Sequence, residues 1–369
     1  MSADLLVTGT GSLAEAVLFD LATLPAGARP LRIVLAGRNA ARLAWLVQAT
    51  NARAVVHGTP HRVVGHRLDW DAAGALDSLL AALRPALVFN VASLQSMWGI
   101  AAGRDAWAAT IRAQGYGATL PLQVVLALRV ARAIAAHSPG SRFVNACYPD
   151  AVNEILVRLG HDVVCGIGNV ATLAAAYHAE MDLAPGARLR MLAHHWHVGA
   201  AIAGYGRRHA PRVWVDARAC EARALPDPRL PADASLNRVT GATGAVLLAA
   251  LLGRIASYAG HAPGPNGLPG GYPVAIEAGR LSLDLPAGLE LEAAVALNRE
   301  WSAREHVELD ASGTVRTGAR DGEEGIPGGA PLPCVWSIET VEQVAREMLR
   351  TRAELQAVAL PPLQQQEIQ

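Results

Sequence analysis

The sequence predicts an α/β fold: a doubly wound parallel sheet followed by a mixed α/β C-terminal half. Three observations predict it. Short apolar runs alternate with helical patterns from Asp4 to about Asn169, at the spacing of strand–helix–strand units. The first run, Asp4-Leu5-Leu6-Val7, passes through a glycine turn, Thr8-Gly9-Thr10-Gly11-Ser12-Leu13-Ala14, into a helical pattern ending near Ala22. The fourth run, Ala86-Leu87-Val88-Phe89-Asn90-Val91, is almost wholly apolar, as a parallel strand buried on both faces is.

The glycine turn reads G-x-G-x-x-A. Gly9 makes the tight turn, Gly11 lets a pyrophosphate approach the backbone at a helix N-terminus, and Ala14 allows close helix–sheet packing. Thr10, Ser12 and Leu13 complete the phosphate loop. The alternative is a turn that merely needs glycines. Its place between a strand and a helix, with a second strand at Leu31–Ala36, favours dinucleotide binding in a Rossmann-type sheet. At the end of that second strand, where NAD-binding folds carry a carboxylate, stand Gly37-Arg38-Asn39, with Arg42 one helical turn on. The planar fork of Arg38 suits a 2′-phosphate, so NADP is favoured and NAD possible. A solvated arginine at a helix start is the other reading.

The elements follow in order. Ala40–Thr50 is helical, Arg62–Leu68 a third strand, and Asp69 beyond it either an adenine-side contact or a helix cap. Ala72–Leu83 is helical and leads to the fourth strand. Residues 92–117 break the rhythm and read as a lid-like loop with Trp98, Arg104, Trp107 and Arg112. A helix over Leu120–Ala136, a fifth strand at Arg142–Ala146, a helix over Ala151–Leu159 and a sixth strand within Asp162–Asn169 complete the sheet. Residues 1–170 are thus the dinucleotide-binding domain, 171–360 a substrate and oligomerisation domain, and 361–369 a polar tail. In the second domain the pattern predicts a helix near Val170–Met181, a strand from Arg188 through His194-His195-Trp196-His197 to Val198, and a short strand at Val213–Val215. It then predicts a helix over Ala245–Tyr258, a loop from His261 to Gly271, paired strands at Tyr272–Ile276 and Leu281–Leu285, and a terminal helix over Ser337–Gln356.

Composition narrows the function. The chain has 369 residues with 32 basic and 32 acidic side chains, so no charge excess points to nucleic acid or an anionic membrane. The longest apolar stretch, near Ala245–Leu252, is too short to span a bilayer, and the N-terminus enters a strand at once, so a cytoplasmic protein is expected. Cys147, Cys165, Cys220 and Cys334 are scattered and read as buried thiols, not a metal or disulfide framework. There is no lysine, which excludes a Schiff-base or general-base lysine and a P-loop lysine.

The order of elements, the Tyr148-Pro149 turn after the fifth strand, Gly166-Ile167-Gly168-Asn169 after the sixth, and the histidines near His195 together resemble the lactate/malate dehydrogenase superfamily, which includes the NAD-dependent family 4 glycosidases. Asn145-Ala146-Cys147-Tyr148-Pro149 is similar to the glycosidases' Asn-x-x-Asn-Pro. Gly37-Arg38-Asn39 resembles saccharopine-dehydrogenase-type reductases. The resemblance implies a nicotinamide cofactor, a catalytic histidine at His195 and a homodimer at least. The chain departs from the pattern in telling places. Tyr148 stands where the dehydrogenases have a substrate-binding Asn, their Asp-x-x-Arg falls at Thr172 and Ala175, and the glycosidases' metal-binding cysteine falls at Gly168.

Hydride transfer needs an acid/base group and groups that orient the substrate. His195 is the preferred acid/base group, with His197 on the same strand face and His194 with Trp196 on the other. Half-buried histidines bonding to backbone are the bland reading, and a metal held by His-x-His the competing one, although no carboxylate or cysteine is placed to complete it. Tyr148 bonds a substrate carbonyl or caps its turn. Asn90, Val91, Ala92, Ser93 and Asn145 end central strands near the expected cofactor. Gln95, Trp98, Asn169 and His194 face the small-molecule substrate, with Tyr205 and Arg207 as a far wall. The expected activity is an NAD(P)-dependent oxidoreductase acting on a small polar substrate. A redox-assisted hydrolase or lyase and a non-catalytic dinucleotide-binding protein are the alternatives.

Overall fold

A computed structural model describes residues 3–27, 29–184, 186–318 and 332–357. The polar tail predicted at 361–369 lies outside them. The first half is strand β1 (Leu5–Thr8), helix α1 (Ser12–Leu21), β2 (Arg32–Gly37), α2 (Ala40–Val56), β3 (Arg62–Arg67), α3 (Ala75–Leu83), β4 (Leu87–Asn90), α4 (Met97–Ala102), α5 (Ala106–Gln114), α6 (Leu120–His137), β5 (Arg142–Asn145), α7 (Pro149–Arg158) and β6 (Cys165–Gly166). The six strands form one parallel sheet in the order β3-β2-β1-β4-β5-β6. The order reverses between β1 and β4, and ligand crevices open at such a switch point.

Alternation along each strand explains the double winding. Leu5 and Val7 of β1, Leu87 and Phe89 of β4 and Val144 of β5 join one core, while Leu6, Val88 and Phe143 join the other. All are buried, and each such side chain contributes roughly 1.5–3 kcal/mol relative to exposure. Helices therefore cover both faces: α6 and the C-terminal helix α12 (Val341–Gln356) on one side, α1 and α10 (Asn237–Leu251) on the other.

The second half continues with α8 (Asn169–Glu180), β7 (Leu189–Leu192), α9 (His195–Ala203), β8 (Arg212–Val215), β9 (Arg218–Ala219), then α10, β10 (Ser257–Pro263), β11 (Gly271–Glu277), β12 (Arg280–Leu283), α11 (Leu291–Arg304), β13 (Val307–Leu309), β14 (Thr314–Thr317), β15 (Val335–Ser337) and finally α12. Its strands form three small antiparallel sheets, and a bridge between Ala193 and Gly271 ties β7 to β11.

Several expectations need correction. Residues 92–117 are not an open loop: α4 and α5 fill most of the segment, nucleated by Ser96 and Asp105, whose side chains accept from the N–H of Gly99 and Ala108. The strand expected through Val198 stops at Leu192, and α9 begins at His195. The helix expected over Ala245–Tyr258 is α10, eight residues earlier at its start, and Tyr258 lies in β10. Cys147 and Cys165 are buried, but Cys220 is half-buried and Cys334 exposed. Two helical stretches, Tyr116–His137 and Ala234–Leu251, are long and apolar enough to cross a membrane by composition, contrary to the reading from apolar run length. They bury 83% and 61% of that span within the fold.

Candidate active site

A cleft of about 740 Å³ opens at the carboxyl ends of β1, β4, β5 and β6, a size ordinary for small-molecule sites. Gly9, Val91, Ala146 and Ile167 line it immediately after those strands. At one end the β1–α1 turn contributes Gly9, Thr10, Gly11, Ser12 and Leu13, joined by Gly37, Arg38, Trp70 and Asp71. At the other stand Tyr148, Asp150, Asn169, His195 and Glu305.

The glycine turn is built as its spacing predicts. Gly9 has φ +115°, and a Cβ there would lie 2.9 Å from the backbone of Val91 and Ala92, so no larger residue fits. A Cβ on Gly11 would meet nothing within 4 Å, which leaves its backbone open to a ligand. Gly11 caps α1 without a side-chain bond, and the first turn of α1 presents its free N–H groups to the cleft. The residues present therefore fit the diphosphate of a dinucleotide. Arg38 lines the same end and makes no ion pair or hydrogen bond among the described residues. Arg42 is occupied: it pairs with Glu15 and donates to the Thr10 carbonyl at 3.3 Å, bracing the turn.

Several predicted contacts lie elsewhere. Asn39 caps α2 by accepting from the Arg42 N–H at 2.9 Å, outside the cleft. Asp69 accepts from the Asp71 N–H, and it is Asp71 that reaches the cleft. Asn90 and Asn145 are fully buried and do not line it. They belong to a ladder across the strand ends. The Thr8 hydroxyl donates to Asn90 Oδ1 at 2.8 Å, the Asn90 side-chain amide donates to Asn145 Oδ1 at 3.0 Å, and that of Asn145 to Asn153 Oδ1 at 3.0 Å. Buried amides must find partners, and these find one another. Val91, Ala92 and Ser93 do line the cleft, as do Trp98 and Gln95. Both ends of the Gln95 amide are spent, however, its oxygen on Trp107 at 3.0 Å and its nitrogen on the Ser96 carbonyl at 2.9 Å. Tyr205 and Arg207 are exposed and form no far wall.

The histidines sit on a helix start, so their strand-face pairing does not hold. His194 is the N-cap of α9; its Nδ1 accepts from the Trp196 N–H at 3.2 Å, and its Nε2 lies 3.4 Å from Asp150 Oδ2. His197 turns away from the cleft, accepts from the His194 N–H at 3.0 Å, and packs edge-on against Trp196 and Trp301. Burial there pushes its pKa down to about 3, so it is neutral at physiological pH and cannot supply a proton.

His195 alone of the three faces the cleft. Its Nδ1 bonds the Glu305 carboxylate, and Glu305 also lies 3.4 Å from His194 Nδ1. Burial disfavours the charged imidazole, but the adjacent Glu305 outweighs it, with Asp150 helping, and raises its pKa to about 9. Burial in turn opposes the Glu305 charge, and the neighbouring His195 more than offsets this, lowering its pKa below the usual range. Tyr148 packs its ring edge-on against His195, centroids 5.7 Å apart, in a left-handed conformation at φ +44°. Burial, reinforced by the charges of Glu305 and Asp150, keeps its phenol protonated, and its hydroxyl is enclosed without a hydrogen-bond partner among the described residues. Strain of this kind at a non-glycine residue collects at functional sites.

Sequence reasoning misses Glu305 and Asp150. Asp150 follows the Tyr148-Pro149 turn at a helix start, a local signal that could find it. Glu305 closes α11, and no local pattern ties it to His195. Among the described residues no group of three or more His, Cys, Asp or Glu is arranged to hold a metal.

No protein-family model and no curated protein matches the sequence. The solved structures give a likeness of fold. Malate dehydrogenase from Salinibacter ruber matches with a TM-score of 0.50 at 14% identity, over 82% of this chain and 95% of that one. Malate dehydrogenase from Picrophilus torridus matches with a TM-score of 0.50 at 14% identity, over 83% and 98%. The chain thus has a Rossmann-type α/β fold of the malate dehydrogenase kind.

Proposed function

We propose that the chain is a nicotinamide-dependent oxidoreductase, with residues 1–170 as its dinucleotide-binding domain and 171–360 supplying the acid/base pair. One observation carries the reading. A single cleft joins a glycine turn suited to a diphosphate with a histidine whose proton is governed by a half-buried carboxylate.

Gly9, Thr10, Gly11, Ser12 and Leu13 would hold the diphosphate through backbone N–H groups, and Arg38 the 2′-phosphate that distinguishes NADP from NAD. Bound there, the nicotinamide supplies or accepts a hydride. His195 gives its Nε2 proton to the substrate oxygen in reduction and takes it back in oxidation. Glu305 fixes the ring through Nδ1 and stabilises the imidazolium, so that Nε2 carries a proton when the substrate arrives. A positioned acid/base of this type contributes about 10²–10⁴-fold to rate. Tyr148 walls the ring on one side.

Energy transfer from Trp70 and Trp98, both on the cleft, to reduced nicotinamide tests the reading. NADPH is expected to quench tryptophan emission saturably and NADH more weakly. No saturable binding of either would overturn the assignment, and tighter binding of NADH would overturn the choice of NADP.

A further inference from the structure

We propose that the substrate is an uncharged carbonyl compound, or the matching alcohol, on an apolar body, whose reacting oxygen is bonded by His195 Nε2 and the Asn169 side-chain amide. This rests on the oxidoreductase reading above and adds the substrate class to it.

Charge is divided along the cleft. The arginines on its lining, Arg38 and Arg129, stand with Trp70 at the β2–β3 end, where Arg129 donates to the Trp70 carbonyl at 3.2 Å. At the β5–β6 end the acidic and basic side chains lining it among the described residues are His195, Asp150 and Glu305, beside the Cys147 thiol and the Tyr148 phenol, which burial keeps protonated. A carboxylate beside the reacting carbon would meet no guanidinium fork there, and would face two carboxylates against the single imidazolium of His195, which Glu305 already pairs. Thr172 is buried, its hydroxyl 2.7 Å from that of Thr240.

That threonine pair has a consequence for Asn169. The Thr240 hydroxyl lies 3.1 Å from Asn169 Oδ1 and 3.2 Å from the Leu236 carbonyl, so it shares its one proton between them and holds the amide oxygen toward α10. The Asn169 NH2 has no bonded partner among the described residues and is not sealed from solvent, so it is left to donate into the cleft. His195 Nε2 is in the same condition, since its Nδ1 is taken by Glu305. Two N–H donors match the two lone pairs of one carbonyl oxygen. The surrounding wall is apolar, from Trp98, Val170 and Ile202, and receives a hydrocarbon body. In reduction the carbonyl carbon gains a hydride from reduced nicotinamide, its oxygen gains the His195 proton, the C=O π bond is lost, and nicotinamide is oxidised. Asn169 bonds the oxygen throughout and exchanges no proton.

The test is a matched pair of probes, 1-phenylpropan-2-one and phenylpyruvate, which differ by a methyl in place of a carboxylate. Each is titrated into the full chain by saturation-transfer NMR, with and without NADP⁺, which cannot give up a hydride. The neutral ketone is expected to bind at least about tenfold tighter than phenylpyruvate. Asn169→Asp, which keeps an oxygen for Thr240 and loses the donor, is expected to weaken the ketone about tenfold while NADP⁺ affinity holds. Equal or tighter binding of phenylpyruvate, failure of the ketone to bind a chain that binds NADP⁺, or an unchanged ketone affinity in Asn169→Asp would each overturn the proposal. Ketone preference without NADP⁺ binding would uphold the substrate class and overturn the dinucleotide reading instead.

Discussion

Nδ1 of His195 is bonded to the carboxylate of Glu305, a residue 110 positions further along the chain. The first stands at the start of α9 and the second just past the end of α11, so two helix termini meet at the cleft. The pair holds the imidazole protonated through neutrality, with its pKa at about 9. Glu305→Gln removes the charge but keeps the shape. The His195 resonance, followed by NMR against pH, is then expected to titrate at least about two units lower, because burial is then opposed by Asp150 alone. An unshifted titration would show that Glu305 does not govern this proton.

Arg38 carries the next expectation. It lies on the cleft without a bonded partner among the described residues, so it has charge to give a 2′-phosphate. Arg38→Ala should weaken NADPH binding about 10–100-fold and NADH by less than about threefold, as loss of a charge-assisted contact to one phosphate does. Tryptophan quenching titrations measure both. An equal loss for the two cofactors would place Arg38 outside 2′-phosphate recognition.

Local signals are the legible ones. Strand alternation and the Gly9–Gly11 spacing report backbone geometry, which a few neighbouring residues determine, and the sheet follows them in order. His194 to Val198 misleads because a short apolar run with histidines suits either a strand or a helix. The deciding feature is the capping of α9 by His194, an imidazole where Ser or Asp is usual. Asn90 and Asn145 look like ligand contacts because polar residues end apolar strands there. Their partners, Thr8 and Asn153, sit on other elements, so their mutual satisfaction is a property of the packed sheet. Glu305 is invisible in the sequence for the same reason.

Gly9 tests the turn itself. At its φ of +115°, a Cβ would come within 2.9 Å of the Val91–Ala92 backbone, which leaves no relaxed place for a side chain. Gly9→Ala is expected to lose dinucleotide binding and about 1–3 kcal/mol of stability, since backbone on both sides must shift. Gly11→Ala, whose Cβ faces open space, should fold as well as the parent and lose only ligand affinity. Denaturant midpoints and quenching titrations on the two variants separate strain from occlusion. Equal stability losses would refute the distinction.

Acid sensitivity follows from two other histidines. His197 accepts from the His194 N–H and His261 from the Met191 N–H at 2.9 Å, so each is needed as a neutral ring, and burial lowers both pKa values to about 3. A histidine whose folded pKa is depressed takes up protons in the unfolded chain first. Stability is therefore lost as pH falls below the unfolded value near 6.5, by about 1.4 kcal/mol per pH unit for each group. His195 has the opposite sign. Its raised pKa gives stability that is full below about 6.5 and is lost as pH rises through about 9, so it adds no slope on the acid side. Urea midpoints measured from about pH 7 down to about pH 4.5 should fall steadily, and His261→Gln, which can still accept from Met191, should shallow the decline. A flat profile over that range, or an unchanged slope in His261→Gln, would remove buried histidines as its cause.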